Sequence, residues 1–291
     1  MSANHPFLTL LLAVLASGVL NAQDHTFRQV ALGGATEVVA KINGGYGTVH
    51  LRRGSGPMLL SVREVNAGKG DSRSDLRVDY HVEDGIGYLT VDMGNEGHDD
   101  MNALACLFNG RSEQTWHVTL AGDIPIRLDM TMGAGRATLD LTDIFLRDFH
   151  LDTGAGSVRL KADRPNREEI GHVTISAGVG SLRAERIGNL RFDELTFEGG
   201  IGKYLIDCSG ALPDNAKIVS DVGVGSLTIL LPNGMGAKAV TNDNWLSSRK
   251  MYGFVRKNDV TFCTPDYERN DRRMFLDVRS GLGTVAVRRV K

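Results

Sequence analysis

Eight times the chain writes Gly, any residue, Gly and then an alternating apolar strand, beginning at Gly45, Gly85, Gly133, Gly154, Gly178, Gly200, Gly223 and Gly281. The same spacing at Gly54, Gly68 and Gly234 runs into Pro57 or into less regular sequence and is left out. From Gly133 to Gly223 the intervals are 21, 24, 22 and 23 residues, so one structural unit is being repeated. Glycine makes up 35 of 291 residues against only 7 prolines, an excess that belongs to ordered turns rather than to disorder.

Aligned on the second glycine, every copy has apolar residues two and four positions later, from Val49 and Leu51 through Val158 and Leu160 to Val285 and Val287. Five and three positions before the first glycine a second couple recurs, as in Leu128 and Met130 or Val173 and Ile175; Ile218 followed by Ser220 departs from it. Period two means strands with one buried face. Each unit is therefore strand, glycine corner, strand, and is too short to bury that face alone. Successive units must stack, which makes the chain an all-β, single-strand β-solenoid resembling a β-helix, with Gly-x-Gly corners. A dozen turns at about 4.8 Å would give a rod on the order of 50 to 60 Å long.

Residues 1–22 read as a secretory signal peptide: Phe7 to Leu20 is almost wholly apolar, and polar sequence starts after Ala22. That run is too short to span a membrane, and no other stretch approaches the length of a span. Residues 23–111 form an irregular β portion that suits either a meander or degenerate coils. The regular array occupies 112–291 and is broken by an insertion at 231–275; a smaller insertion lies at 93–111. Three cysteines, Cys106, Cys208 and Cys263, allow one disulfide plus a free thiol, or three small buried hydrophobes, and do not choose among pairings.

The glycine pairs do not make a phosphate cradle, since no copy supplies the third glycine and a following helix. Calcium-binding nonapeptides are also excluded, because Val49 and Tyr204 stand where the liganding aspartate belongs. A formal net charge of −2 argues against nucleic acid as a partner. No motif calls for a cofactor. His98, Asp99 and Asp100 read as a solvated turn rather than a metal site, because consecutive side chains seldom converge.

Chemistry on such a frame would sit on outward ladders. Arg159 and Arg183 make a small basic step. Five positions after the second glycine come Asp140, Lys161, Glu185 and Asp207; the first three alternate in sign like a salt-bridge ladder, and Glu185 over Asp207 is a like-charge pair. Glu185, Asp207 and Lys161 are thus candidate binding residues. Trp245, Tyr252 and Tyr267 in the late insertion are further candidates, able to stack on sugar rings or to cap the core. None is read as catalytic.

The runs Met132-Gly133-Ala134-Gly135, Thr153-Gly154-Ala155-Gly156-Ser157-Val158 and Gly223-Val224-Gly225-Ser226-Leu227, with Leu231-Pro232, Trp116 before Ile124-Pro125, and Gly281-Leu282-Gly283, resemble the toast-rack family of bacterial envelope proteins. The stretch from Leu139 to Phe149 adds to the likeness. More distantly the chain is similar to adhesin-type repeats and to the C-terminal domain of cell-wall-antibiotic response proteins. The resemblance implies an exported, non-enzymatic β-solenoid of bacterial envelopes. It carries over no catalytic residue. With the repeat, the leader and the lack of a convergent site, the sequence points to an interaction, adhesion or scaffold protein, periplasmic, cell-surface or extracellular, whose ends and insertions, residues 93–111 and 231–275, contact an envelope component, another protein or a glycan. A polysaccharide-active β-helix enzyme and a ligand-sensing module for envelope stress are the alternatives.

Overall fold

A computed structural model describes residues 27–65, 76–94 and 114–290. The expected signal peptide, Cys106 and the run from His98 to Asp100 lie outside the described residues. The strands, in chain order, are β1 (Phe27–Ala31), β2 (Glu37–Arg53), β3 (Met58–Val65), β4 (Leu76–Glu83), β5 (Ile86–Met93), β6 (Thr115–Leu120), β7 (Ile126–Asp140), β8 (Leu146–Lys161), β9 (Ile170–Glu185) and β10 (Phe192–Asp207). There follow β11 (Ala216–Leu231), β12 (Gly236–Thr241), β13 (Ser247–Met251), β14 (Val255–Arg256), β15 (Thr261–Cys263) and β16 (Arg273–Arg289).

Seven of these, β2, β7 to β11 and β16, are 15 to 17 residues long and run unbroken through a Gly-x-Gly. They stack parallel in the order β2-β7-β8-β9-β10-β11-β16. Each corner is thus a bend within one strand rather than a gap between two. Glycine is required there by the stacking: a Cβ on Gly156, Gly180 or Gly225 would lie far inside contact distance of the carbonyl oxygen of the second glycine one coil back. Most second glycines also hold a positive φ, +131° at Gly135 and +144° at Gly156, which an L side chain rarely adopts. The Gly85 copy is the exception. Asp84 and Gly85, both at positive φ, form the tight turn between the antiparallel strands β4 and β5.

The inward couples stack as the periodicity predicts. Leu128, Phe149, Val173, Leu195, Ile218 and Leu276 form one buried row, in register from coil to coil. In the neighbouring row Ser220 stands beside Phe197, whose ring meets Tyr204 edge-on at 5.1 Å. Two large rings in β10 fill the space, which explains the small residue in β11. The returns 141–145, 162–169 and 186–191 close the core with Leu141, Ile144, Ile187 and Leu190. They also bury two asparagines. Asn166 donates to the carbonyl of Leu146 at 2.7 Å and accepts from its N–H at 3.0 Å. Asn189 donates to Ala162 O at 2.9 Å and accepts from Ala211 N–H at 3.1 Å. Backbone groups that the irregular returns leave unpaired are satisfied in this way.

At both ends the long strand is replaced by two short ones. β5 pairs with the first half of β2 and β6 with its second half; β12 and β13 do the same for β16. Antiparallel strands finish the sheet: β4 on β5, β3 and then β1 on β6, and β15 on β12. Chain spent on these ends is not spent on coils, so the rod is shorter than a dozen turns, on the order of 40 Å. Part of the insertion is tied to the last coil by Arg289, which donates to both oxygens of Asp266 at 2.7 and 2.6 Å. Burial opposes ionisation of Asp266, but hydrogen bonds from Thr264, Arg289 and Asn270 hold its carboxyl down at about 2. Cys208 and Cys263 are buried free thiols, and burial pushes the Cys208 thiol up.

Candidate functional site

The carboxylate ladder is a structural one. Lys161 Nζ lies 2.8 Å from Asp140 and 3.3 Å from Asp163. Its hydrogen bond to Asp140 holds the ammonium above its ordinary range, while burial of Asp140 is outweighed by hydrogen bonds from Lys161 and Thr142 that hold that carboxyl low. Glu185 pairs with Arg183 of its own strand. Asp207, the last residue of β10, accepts the Ser209 N–H of the return at 2.9 Å. The two carboxylates expected as a stacked pair are therefore engaged separately, and alternating partners of this kind are what an exposed strand face needs.

The aromatic candidates separate as well. Tyr267 belongs to the cap: it sits in the short 3₁₀ turn Tyr267–Arg269, its backbone abuts Gly236, and the Arg273 guanidinium lies 5.7 Å from its ring. Trp245 and Tyr252 flank β13 on opposite sides, Tyr252 exposed and Trp245 90% exposed. Among the described residues no cluster of three or more His, Cys, Asp or Glu is placed to hold a metal ion.

A feature that the repeat alignment passes over lies inside the motif. The middle residues of successive Gly-x-Gly corners stack in register: Ala134, Ala155, Val179, Ile201, Val224 and Leu282. From Val179 onward they face solvent, with Val179 55%, Ile201 57% and Leu282 47% exposed, while Ala134 is buried and Ala155 half-buried. Ser247 pairs with Gly283, so exposed Leu246 continues the row and Trp245 stands level with Gly281. An exposed apolar ridge thus follows the corner down the stack, ending at Trp245, the most exposed aromatic among the described residues. Five aligned exposed side chains, Val179, Ile201, Val224, Leu282 and Leu246, amount to several hundred Å², the size at which an apolar patch marks a contact site.

Beside the ridge runs a shallow trough of about 490 Å³ floored by Gly154, Gly178 and Gly200. Its far edge is the outward row Asp152, Ser176, Glu198 and Asp221, stacked in that order. On the other side of the ridge come Ser157, Ser181, Lys203 and Ser226, with Ser181 Oγ 3.1 Å from Ser157 Oγ. Farther along that arm the basic step of Arg159 and Arg183 extends through Thr138 to His50, His117 and Arg63. The rings of His50 and His117 stack at 5.0 Å; burial first, then the neighbouring His50, Arg52 and Arg63, push His117 below its ordinary range. The corner therefore separates a face with an acidic edge from a face that turns basic. Nothing in this arrangement converges on one reacting atom.

The sequence profile of the N-terminal domain of toast_rack matches residues 20–185, more than half of the chain. A crystal structure of a "putative cell adhesion protein" from Clostridium sporogenes superposes with a TM-score of 0.47 at 17% identity, covering 91% of this chain and 98% of that one. A "putative adhesin" from Bacteroides fragilis does so with a TM-score of 0.31 at 12% identity, covering 90% and 96%. No curated protein matches the chain.

Proposed function

The chain belongs to the toast-rack family, and from that premise we propose that it is an exported, non-enzymatic interaction protein of the cell envelope, an adhesion or scaffold module that binds through its corner ridge. The observation that carries this reading is the ridge itself. A stack whose inward rows are almost fully buried would be expected to put polar residues on an outward corner, where apolar ones gain nothing from folding. Instead Val179, Ile201, Val224, Leu282 and Leu246 are left in solvent in one line. The glycine spine beneath holds them rigid, so little conformational entropy is lost when a partner docks. Trp245 is the binding residue among the aromatic candidates. Lys161, Glu185 and Asp207 serve the frame, Tyr267 serves the cap, and Tyr252 lies off the ridge.

The partner proposed is an envelope component, another protein or a glycan. Among the described residues no helix is long and apolar enough to cross a membrane. Export through residues 1–22 belongs to the same proposal. Thermal-shift titration of the purified protein with peptidoglycan fragments, envelope lipids and glycans tests it, since a ligand of the folded state raises the melting temperature by mass action. Stabilisation by one class, lost in Ile201→Lys and unaccompanied by new reducing ends or unsaturated sugars, supports the reading. Turnover of a glycan would replace it with the enzyme alternative.

A further inference from the structure

We propose that the corner face also joins two copies of this chain, side by side with their coils level, about a two-fold axis that runs along the stack. The inference rests on reading the ridge as a binding surface and adds a specific occupant. Across one coil the outward rows follow a fixed order: acidic edge, first glycine, ridge residue, second glycine, hydroxyl row. In β10 these are Glu198, Gly200, Ile201, Gly202 and Lys203.

A two-fold axis along the stack reverses that order in the second copy and leaves each coil at its own level. Seating the ridge of one copy over the glycine trough of the other then seats the second ridge in the first trough, as an isologous contact demands. In the same position the acidic edge falls opposite the hydroxyl row. Glu198 meets the partner's Lys203, and Asp152 and Asp221 meet the hydroxyls of the partner's Ser157 and the partner's Ser226. Every carboxylate on the edge gains a donor, and shape and charge are matched by one operation. The other two-fold arrangement, with its axis across the stack, sets acidic edge against acidic edge and is repelled.

The charges are free for this use. Elsewhere on the same strands Asp140 pairs with Lys161 and Glu194 with Lys217. Asp152, Glu198, Asp221 and Lys203, all exposed, enter no ion pair among the described residues. At the end of the ridge Trp245 occupies the row that is glycine in the coils, which closes the trough and offers its ring to the partner's Leu246. Six coils at about 4.8 Å and a strip six residues wide give on the order of 500 Å² a side, at the small end for specific interfaces. The dimer is accordingly expected to be reversible and to dissociate on dilution.

Sedimentation equilibrium of the purified chain over a concentration series tests this. The expected result is a monomer–dimer equilibrium that Ile201→Lys abolishes without lowering the melting temperature. Glu198→Lys alone and Lys203→Glu alone each set like charges opposite and weaken self-association by at least about tenfold. Mixing these two variants restores it, because both contacts of the mixed dimer then join opposite charges. A chain that stays monomeric throughout, a dimer that survives Ile201→Lys, or a mixture no tighter than its components would overturn the proposal. A monomeric chain whose stabilisation by an envelope ligand still depends on Ile201 would leave the functional reading standing, so the two fail separately.

Discussion

Replacing Gly180 by alanine adds a Cβ whose nearest neighbour is the carbonyl oxygen of Gly156, well inside the 3.0 Å that real Cβ atoms keep, at a φ of +137°. Two costs combine. The backbone conformation alone costs an L residue about 1 to 2 kcal/mol. Relieving the overlap requires β8 and β9 to part by about an ångström at the corner, which weakens ladder hydrogen bonds on either side, each worth about 1 kcal/mol net. The sum is about 3 to 4 kcal/mol. Two controls separate the terms. Gly234→Ala has a φ of +81° and nothing within 4 Å, so it pays only the first cost, about 1 kcal/mol. Gly171→Ala also meets nothing within 4 Å and has no such φ, and should fall within about 0.5 kcal/mol of the native chain. Urea unfolding followed by circular dichroism ranks the three. If Gly180→Ala proves no worse than Gly234→Ala, the glycines are not where the coils press together and the reasoning fails.

Asn189→Ala should cost about 2 kcal/mol by leaving Ala162 O buried and Ala211 N–H half-buried without partners, read from the same unfolding curves. Asp266 has a folded pKa near 2 against an ordinary 3.8, so it binds its proton more readily when unfolded. Its stabilisation is complete above about pH 4 and is lost as the pH falls through about 2; allowing for partial exposure it is worth about 1 kcal/mol, and Asp266→Asn should flatten acid unfolding in that window. Glu185→Gln and Asp207→Asn should each shift stability by less than about 1 kcal/mol and leave envelope binding unchanged, because both groups are half-buried at most and serve local contacts away from the ridge.

The coil length, the inward couples and the stacking were legible because glycine spacing and period-two alternation report directly on backbone geometry. The ridge was not, although its residues stand in every copy. A single apolar residue between two glycines has no alternation to give it a side, so its outward turn is visible only in the folded corner. Asn166 and Asn189 escaped notice for another reason: they stack within returns of unequal length, so counting from the glycines never aligns them. Gly85 misled in the opposite sense, because a hairpin turn and a spine corner want the same residue. The register of Glu185 and Asp207 was legible, but not their separate local partners, Arg183 for the one and the Ser209 N–H for the other, because counting from the corner says nothing of side chains on the same strand or in the return.

Cosedimentation with isolated envelope fractions, comparing the native chain with the Ile201→Lys, Val224→Lys double variant, puts the central claim at risk most directly. Both substitutions fall on exposed positions and should leave the melting temperature unchanged. The native chain is expected to pellet with one fraction and the variant to stay in the supernatant. Equal pelleting of the two would show that the corner ridge is not the surface through which this protein works.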